Sequence, residues 1–130
     1  MADDHVHLYV DGILRRSVYD AYTSVTFEPA VSGCVIAVEL INAGTGSEYG
    51  FLASSTSGLL DTDTTWKCSW IQTSGWSLCE FDDSRWSNAA IVAANGDQPW
   101  GRIAGIDAAA SWIWASGGTN VYCRKRLCQP

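Results

Sequence analysis

Short apolar runs separated by turn residues constrain the fold of this chain more than any other feature. Helical periodicity is almost absent, whereas residues 5–10 alternate apolar side chains with histidine and tyrosine, as a half-buried strand does. Asp11 and Gly12 then supply a turn. Residues 34–41 form a continuous apolar run that we expect at the centre of a sheet. This pattern predicts an all-β antiparallel sandwich or barrel.

Further strand-length runs follow along the chain, and no linker divides them. Residues 108–110 are predicted to form a short helical turn instead. We therefore expect one domain over residues 1–130, which is an ordinary length for a single domain. The other predicted strands are 25–27, 49–53, 88–94, 112–114 and 120–127.

Charge and hydropathy exclude several classes of protein. The net charge is −6, which argues against nucleic acid as the main partner, because nucleic-acid-binding proteins need a basic face. No stretch approaches the ~20 apolar residues that span a bilayer, so we expect no membrane insertion. The abundant aromatic and β-branched residues exclude a disordered chain.

Five cysteines indicate one or two disulfides rather than a zinc site, because no CxxC pair is present. We predict that Cys34 is a buried free thiol. The chain does not start with the basic and apolar segments of a signal peptide. Because disulfides need an oxidising compartment, we still expect a secreted, trimmed protein, with a cytosolic protein of reduced cysteines as the alternative. The disulfide candidates, whose pairing stays open, are Cys68, Cys79, Cys123 and Cys128.

Seven tryptophans indicate either a heavily aromatic core or stacking surfaces for flat ligands. Three of them, Trp70, Trp76 and Trp100, lie in loop-like surroundings, where an indole is free to stack on a sugar ring. The four in strand-like or motif positions, which we assign to the core, are Trp66, Trp86, Trp112 and Trp114.

The loop around Trp100 is the first candidate ligand site, because it combines an indole with the donors and acceptors that recognise hydroxyl groups. Trp70 beside Gln72 is the second candidate, and Tyr49 with Asn42 and Glu48 is the third. The polar residues near Trp100 are Asn95, Asp97, Gln98 and Arg102.

Two acidic segments are candidate metal or capping sites. Asp61 and Asp63 alternate with threonines and supply oxygens suited to calcium, although the segment lacks the glycine and glutamate of an EF-hand. The alternative there is a solvated Asx-turn loop. Asp82 and Asp83 are predicted to cap a turn, with Phe81 packing nearby. We expect no other cofactor.

Basic side chains and histidines follow the strand alternation. Arg124 and Arg126 are predicted to share one strand face. That face is expected to be solvated or paired with carboxylates, with contact to a sulfated or sialylated glycan as a further alternative. His5 and His7 are spaced to share one strand face near the N-terminus. They are predicted to be either a pH-sensitive or metal-binding pair or exposed residues without function.

Two blocks of the sequence resemble galactose-binding-like jelly-roll domains. The first, residues 8–12 (LYVDG) and 33–38 (GCVIAV), is similar to strands with the patterns LYVNG and GxNVIAV in modules of glycosidases and lectins. Asp11 and Cys34 stand where many of those relatives carry asparagine. The second block resembles a related module in extracellular proteins of marine invertebrates. It comprises 66–68, Trp76, 81–86, 112–114 and 121–124.

The resemblance implies a single jelly-roll β-sandwich that acts as a lectin or carbohydrate-binding module. A shallow saccharide site is normally weak, so function would call for a homo-oligomer or tandem copies. We expect no enzymatic activity, since the sequence has no GxSxG, HExxH or phosphate-loop motif. The alternatives are an extracellular protein–protein or matrix module without a sugar site, and a calcium-dependent adhesion domain.

Overall fold

A computed structural model describes residues 2–3, 5–19, 33–41, 50–55, 58–97, 101–103, 105–115 and 120–127. Within these ranges the chain forms ten β-strands and no helix. The described residues therefore contain no helix that is long and apolar enough to cross a membrane. The strands are β1 (Ala2–Asp3), β2 (His5–Val10), β3 (Ile13–Val18), β4 (Val35–Ile41), β5 (Gly50–Phe51), β6 (Lys67–Ser69), β7 (Ser87–Asn88), β8 (Ala90–Ala94), β9 (Ser111–Trp114) and β10 (Asn120–Arg126).

The strands form two antiparallel sheets. The larger sheet has the order β3-β2-β4-β10-β6-β7, and the smaller has the order β1-β5-β9-β8. Strand β4 lies between β2 and β10, so the central position predicted for residues 34–41 is confirmed. The predicted all-β antiparallel sandwich is confirmed as well. The strand predicted at 25–27 and Tyr49 lie outside the described residues.

The turn after β2 fixes the start of β4. Asp11 (φ 49°) and Gly12 (φ 84°) both adopt left-handed backbone conformations, as the two central residues of a type I′ hairpin turn do. The Asp11 carboxylate accepts hydrogen bonds from the backbone N–H groups of Cys34 (2.9 Å) and Val35 (3.0 Å). A Cβ on Gly33 would lie 2.6 Å from the Val10 side chain. The LYVDG and GCVIAV segments therefore serve as one structural unit.

The main core lies between the two sheets. Val38, Leu40 and Val121 of the larger sheet pack in one cluster with Ile113 and Trp114 of the smaller sheet. The tryptophans predicted in the core are all buried, which confirms that assignment; their exposed fractions are Trp66 1%, Trp86 9%, Trp112 0% and Trp114 0%.

A second aromatic cluster covers part of the outer face of the larger sheet. Residues 74–86, which we call the cover segment, bring Trp76 over Tyr9 and Tyr122, with ring centroids 5.5 and 5.1 Å apart. Trp76 is 6% exposed, so its prediction as a loop indole open to a ligand is wrong. It is buried because two tyrosines, from the strands on either side of β4, project from the sheet and pack against it.

Two disulfides connect these parts of the molecule. Cys68 and Cys123 are directly opposed on β6 and β10 and form one bridge. Cys34 forms the other bridge, with Cys79 of the cover segment, so its prediction as a free thiol is wrong. Cys34 precedes β4 rather than lying within it, and therefore its side chain is not held in the core. Cys128 lies outside the described residues. Two disulfides fit an oxidising environment.

Candidate functional site

The loop after β8 contains the first predicted ligand residues. The Asn95 side chain is 9% exposed and is engaged in holding the loop. Its Nδ2 donates to the carbonyls of Ile106 (3.3 Å) and Asp107 (3.2 Å), and its Oδ1 accepts from the Ile103 N–H (2.9 Å). The structure thus gives Asn95 a positioning role in this loop.

Asp97 and Arg102 are the exposed polar residues of the same loop. The Asp97 carboxylate accepts from the Ala94 N–H (3.1 Å), and its carbonyl accepts from the Gly101 N–H (2.9 Å). Gln98 and Trp100 lie outside the described residues. A ligand site in this loop therefore stays a prediction.

Trp70 is the exposed indole among the described tryptophans, at 63% exposure. It follows β6 directly, and Ile71 beside it is also 63% exposed. The Ser69 hydroxyl bonds both the N–H and the carbonyl of Ile71 (3.1 and 3.3 Å), which holds this turn. The structure leaves Trp70 available for stacking, as its prediction as a ligand residue requires.

The predicted calcium loop is an Asx-turn in this structure. Asp63 Oδ1 accepts from the Thr65 N–H (2.8 Å) and hydroxyl, and Asp61 Oδ1 accepts from the Ser55 N–H (3.4 Å). Burial raises the pKa of Asp61, and the neighbouring carboxyl groups of Asp107 and Asp63 raise it further. In the described ranges, no group of three or more His, Cys, Asp or Glu residues is arranged to hold a metal ion.

The acidic segment 82–83 has the predicted capping role in part. Asp82 accepts from the Ser84 N–H (3.0 Å), and its bonds to Ser84 lower the pKa of Asp82. The Asp83 carboxylate instead pairs with an arginine, Oδ2 lying 2.9 Å from Arg124 Nη1. Of the alternatives for Arg124, pairing with a carboxylate is confirmed.

Arg124 is fully buried beneath the cover segment. Besides Asp83, it donates to the carbonyls of Phe81 (2.9 Å) and Leu78 (2.8 Å), and its guanidinium carbon lies 5.2 Å from the Phe81 ring centre. Burial lowers the pKa of Arg124, and the Asp83 charge opposes that shift. Arg126 also donates to the Phe81 carbonyl (3.2 Å), so the predicted shared face of the two arginines is confirmed.

Sequence reasoning missed a row of polar side chains on the outer face of the larger sheet. The register places one residue from each of five adjacent strands directly opposite the next, and directly opposed residues share a face. We call this set the polar row. Its members, in spatial order, are Ser17, His7, Glu39, Tyr122 and Ser69.

Hydrogen bonds orient the polar row. His7 Nδ1 lies 2.7 Å from the Ser17 hydroxyl, which leaves Nε2 on the other side of the ring. Burial raises the pKa of Tyr122, and so do the charge of Glu39 and its hydrogen bond with the phenol. Burial and the Glu39 charge also raise the pKa of Tyr9. Glu39 thus lies half-buried among phenols and imidazole.

An exposed aromatic side chain lies beside the polar row. Tyr19, 62% exposed, packs edge-on against His5 (5.6 Å) and His7 (5.5 Å). Strand alternation had placed the two histidines on one face, but only the strand order brings Glu39 and Tyr122 beside them.

Comparisons with known proteins give one local similarity. A stretch of 53 residues, 40% of this chain, is 41% identical to part of an alpha-L-rhamnosidase of Streptomyces avermitilis. The matched stretch spans only 5% of that enzyme's length. No protein-family model and no solved structure matches the chain. The local similarity and the all-β sandwich together fit a fold of the carbohydrate-binding-module type.

Proposed function

We propose that this chain is a non-catalytic carbohydrate-binding module of the lectin type, working in an oxidising, extracellular setting. The observation that carries the proposal is the local similarity to a glycosidase. The shared stretch is a small part of that enzyme, which supports a shared accessory module over a shared catalytic chain.

The site geometry supports this proposal. Saccharides present apolar C–H faces that stack on aromatic rings, and hydroxyl groups that need both donors and acceptors. Trp70 is open to solvent on one side of the sandwich. Asp97 and Arg102 are open on the loop after β8. Trp70 could therefore stack on a sugar ring, while Asp97 could accept hydrogen bonds from sugar hydroxyl groups and Arg102 could donate them.

A glycan array with the fluorescently labelled protein tests the proposal. The protein is presented as a multivalent complex, because a single shallow site binds weakly. We expect binding to a coherent set of terminal sugars, with rhamnose-terminated glycans on the same slide. A blank array from folded protein overturns the proposal. A parallel run with a chelator tests the calcium prediction for Asp61 and Asp63. If glycan binding needs calcium, the chelator abolishes it.

A protein–protein module is the second candidate. Ile91 (53% exposed) and Val92 (42%) present apolar side chains on β8, an edge strand of the smaller sheet. A register shift between β8 and β9 at this point interrupts regular pairing. A module of this type predicts a blank array together with self-association or partner capture that Ile91→Lys abolishes.

A further inference from the structure

We propose that the adjacent half-buried members of the polar row, Ser17, His7 and Glu39, form the saccharide-contacting surface, and that this surface takes an uncharged oligosaccharide lying across the strands. This inference rests on the proposed function and assigns its site and ligand class. It places the ligand on the sheet face rather than on the loop after β8.

The chemistry of the polar row matches a chain of hydroxyl groups. The Glu39 carboxylate uses one acceptor position for the Tyr122 phenol and has further positions for hydroxyl protons. Among the described residues, Arg124 and Asp83 form the one ion pair, so no described cation neutralises Glu39. Hydrogen bonds to a charged group are about twice as strong as neutral ones.

Fixed side chains make this surface ready to bind. Ser17 holds His7 through Nδ1, and the Tyr19 ring packs against the His7 imidazole. Tyr122 is 6% exposed and is packed against Trp76, so its phenol holds Glu39 in place rather than contacting the ligand. Groups that are already ordered before binding lose less conformational entropy when the ligand arrives.

The dimensions of the row indicate an oligosaccharide rather than one sugar. Neighbouring strands lie about 4.8 Å apart, so Ser17, His7 and Glu39 on three adjacent strands span about 10 Å. That length exceeds a single sugar ring, and the exposed Tyr19 ring lies beside His7.

Charge decides the class of oligosaccharide. The central group of the row is a carboxylate, and the chain carries a net charge of −6. Sulfated or sialylated glycans would meet like charge there, whereas neutral glycans supply the hydroxyl donors that a carboxylate accepts.

The test uses an array of neutral oligosaccharides of graded length, with sulfated and sialylated glycans on the same slide. Two variants alter the row: Glu39→Gln, which keeps the shape and an acceptor for Tyr122, and His7→Ala. Glu80→Gln is the matched control for charge, because Glu80 is exposed on the cover segment. Asp97→Asn and Arg102→Ala alter the loop after β8.

We expect the two row variants each to weaken neutral-glycan binding about tenfold or more, while Glu80→Gln and the loop variants bind as the unaltered protein does. Binding should also strengthen with oligosaccharide length. Melting temperatures confirm that each variant is folded.

The outcomes separate this inference from the proposed function. If the unaltered protein binds no glycan, the proposed function itself fails. If it binds, but the row variants bind equally well, the polar row is not the site; losses confined to Asp97→Asn and Arg102→Ala then place the site in the loop. Preference for sulfated or sialylated glycans overturns the ligand class.

Discussion

The outer face of the larger sheet has a covered half and an open half, and the two are built from different chemistry. In the covered half, Ala37 and Arg124 lie fully buried beneath the cover segment. In the open half, His7 and Glu39 remain half-exposed, and Glu39 shares β4 with the covered Ala37. A sheet face that carries apolar side chains and a buried cation has to be covered, whereas one that carries polar side chains can remain in contact with water.

The covered half is held by specific bonds as well as by burial. Arg124 connects the sheet to two carbonyls and a carboxylate of the cover segment. Cys34 attaches the same segment to the start of β4 through Cys79. The segment also lies close to the β2–β3 turn, where a Cβ on Gly12 would collide with Leu78.

Removing the buried cation should have the largest effect on stability. Arg124→Met leaves the Asp83 carboxylate without its cation and removes a donor from two carbonyls of the cover segment, so we expect a loss of about 3 to 5 kcal/mol in unfolding free energy. Denaturation by guanidinium chloride measures this loss in unfolding free energy. The exposed Arg102→Met should change stability by no more than about 0.5 kcal/mol. Equal, small effects from both variants would show that Arg124 does not hold the covered half together.

Breaking the Cys34–Cys79 disulfide should have the next largest effect. The bridge spans 45 residues, and the double variant to serine should lose about 2 to 4 kcal/mol. Because Trp76 and Trp86 belong to the cover segment and are buried in its contact with the sheet, their fluorescence should shift to the red as that half loosens. Unchanged fluorescence with unchanged stability would mean that burial and Arg124 suffice without the bridge.

Tyr122 stands at the boundary between the halves, and its phenol should confer a pH dependence. Its pKa in the folded state is raised above the ordinary 10.0, so its contribution to stability is complete below pH 10 and is lost as the pH rises through the raised pKa. Tyr122→Phe should cost about 1 kcal/mol at neutral pH and flatten the alkaline decline. Melting curves from pH 8 upward check this, and an unchanged alkaline decline in the variant contradicts it.

The open half should tolerate change best. Glu39→Gln retains the shape of the side chain and an acceptor for Tyr122, so its unfolding free energy should change by no more than about 0.5 kcal/mol. Thermal unfolding measures this change. A large loss of stability would show that Glu39 supports the fold, which would remove the contrast with Arg124.

Local patterns predicted much of the fold. Alternation located β2, and the long apolar run located β4 at the centre of its sheet. The Asp-Gly pair marked the turn, because few residues other than glycine, asparagine and aspartate adopt the left-handed backbone there. These features depend on neighbours in sequence, and a single sequence contains that information.

Contacts between distant parts of the chain, including those of the candidate site, were harder to predict. Cys34 was assigned to the core as part of an apolar run, but the partner that decided its role is 45 residues away. Trp76 was placed in a loop, and it is buried because Tyr9 and Tyr122 approach it from two strands. The spacing of residues in the sequence predicts neither the disulfide partner of Cys34 nor the contacts of Trp76.

The sequence by itself determined the all-β architecture, the hairpin turn and the buried tryptophans of the strands, because backbone geometry and side-chain polarity act over a few residues. Only the tertiary structure decided which side chains share a surface. The order β3-β2-β4-β10-β6 aligns Ser17, His7, Glu39, Tyr122 and Ser69, which are spread over more than a hundred residues of sequence. Strand order is set by the packing of the whole sandwich, so such a row forms only when the sheets assemble.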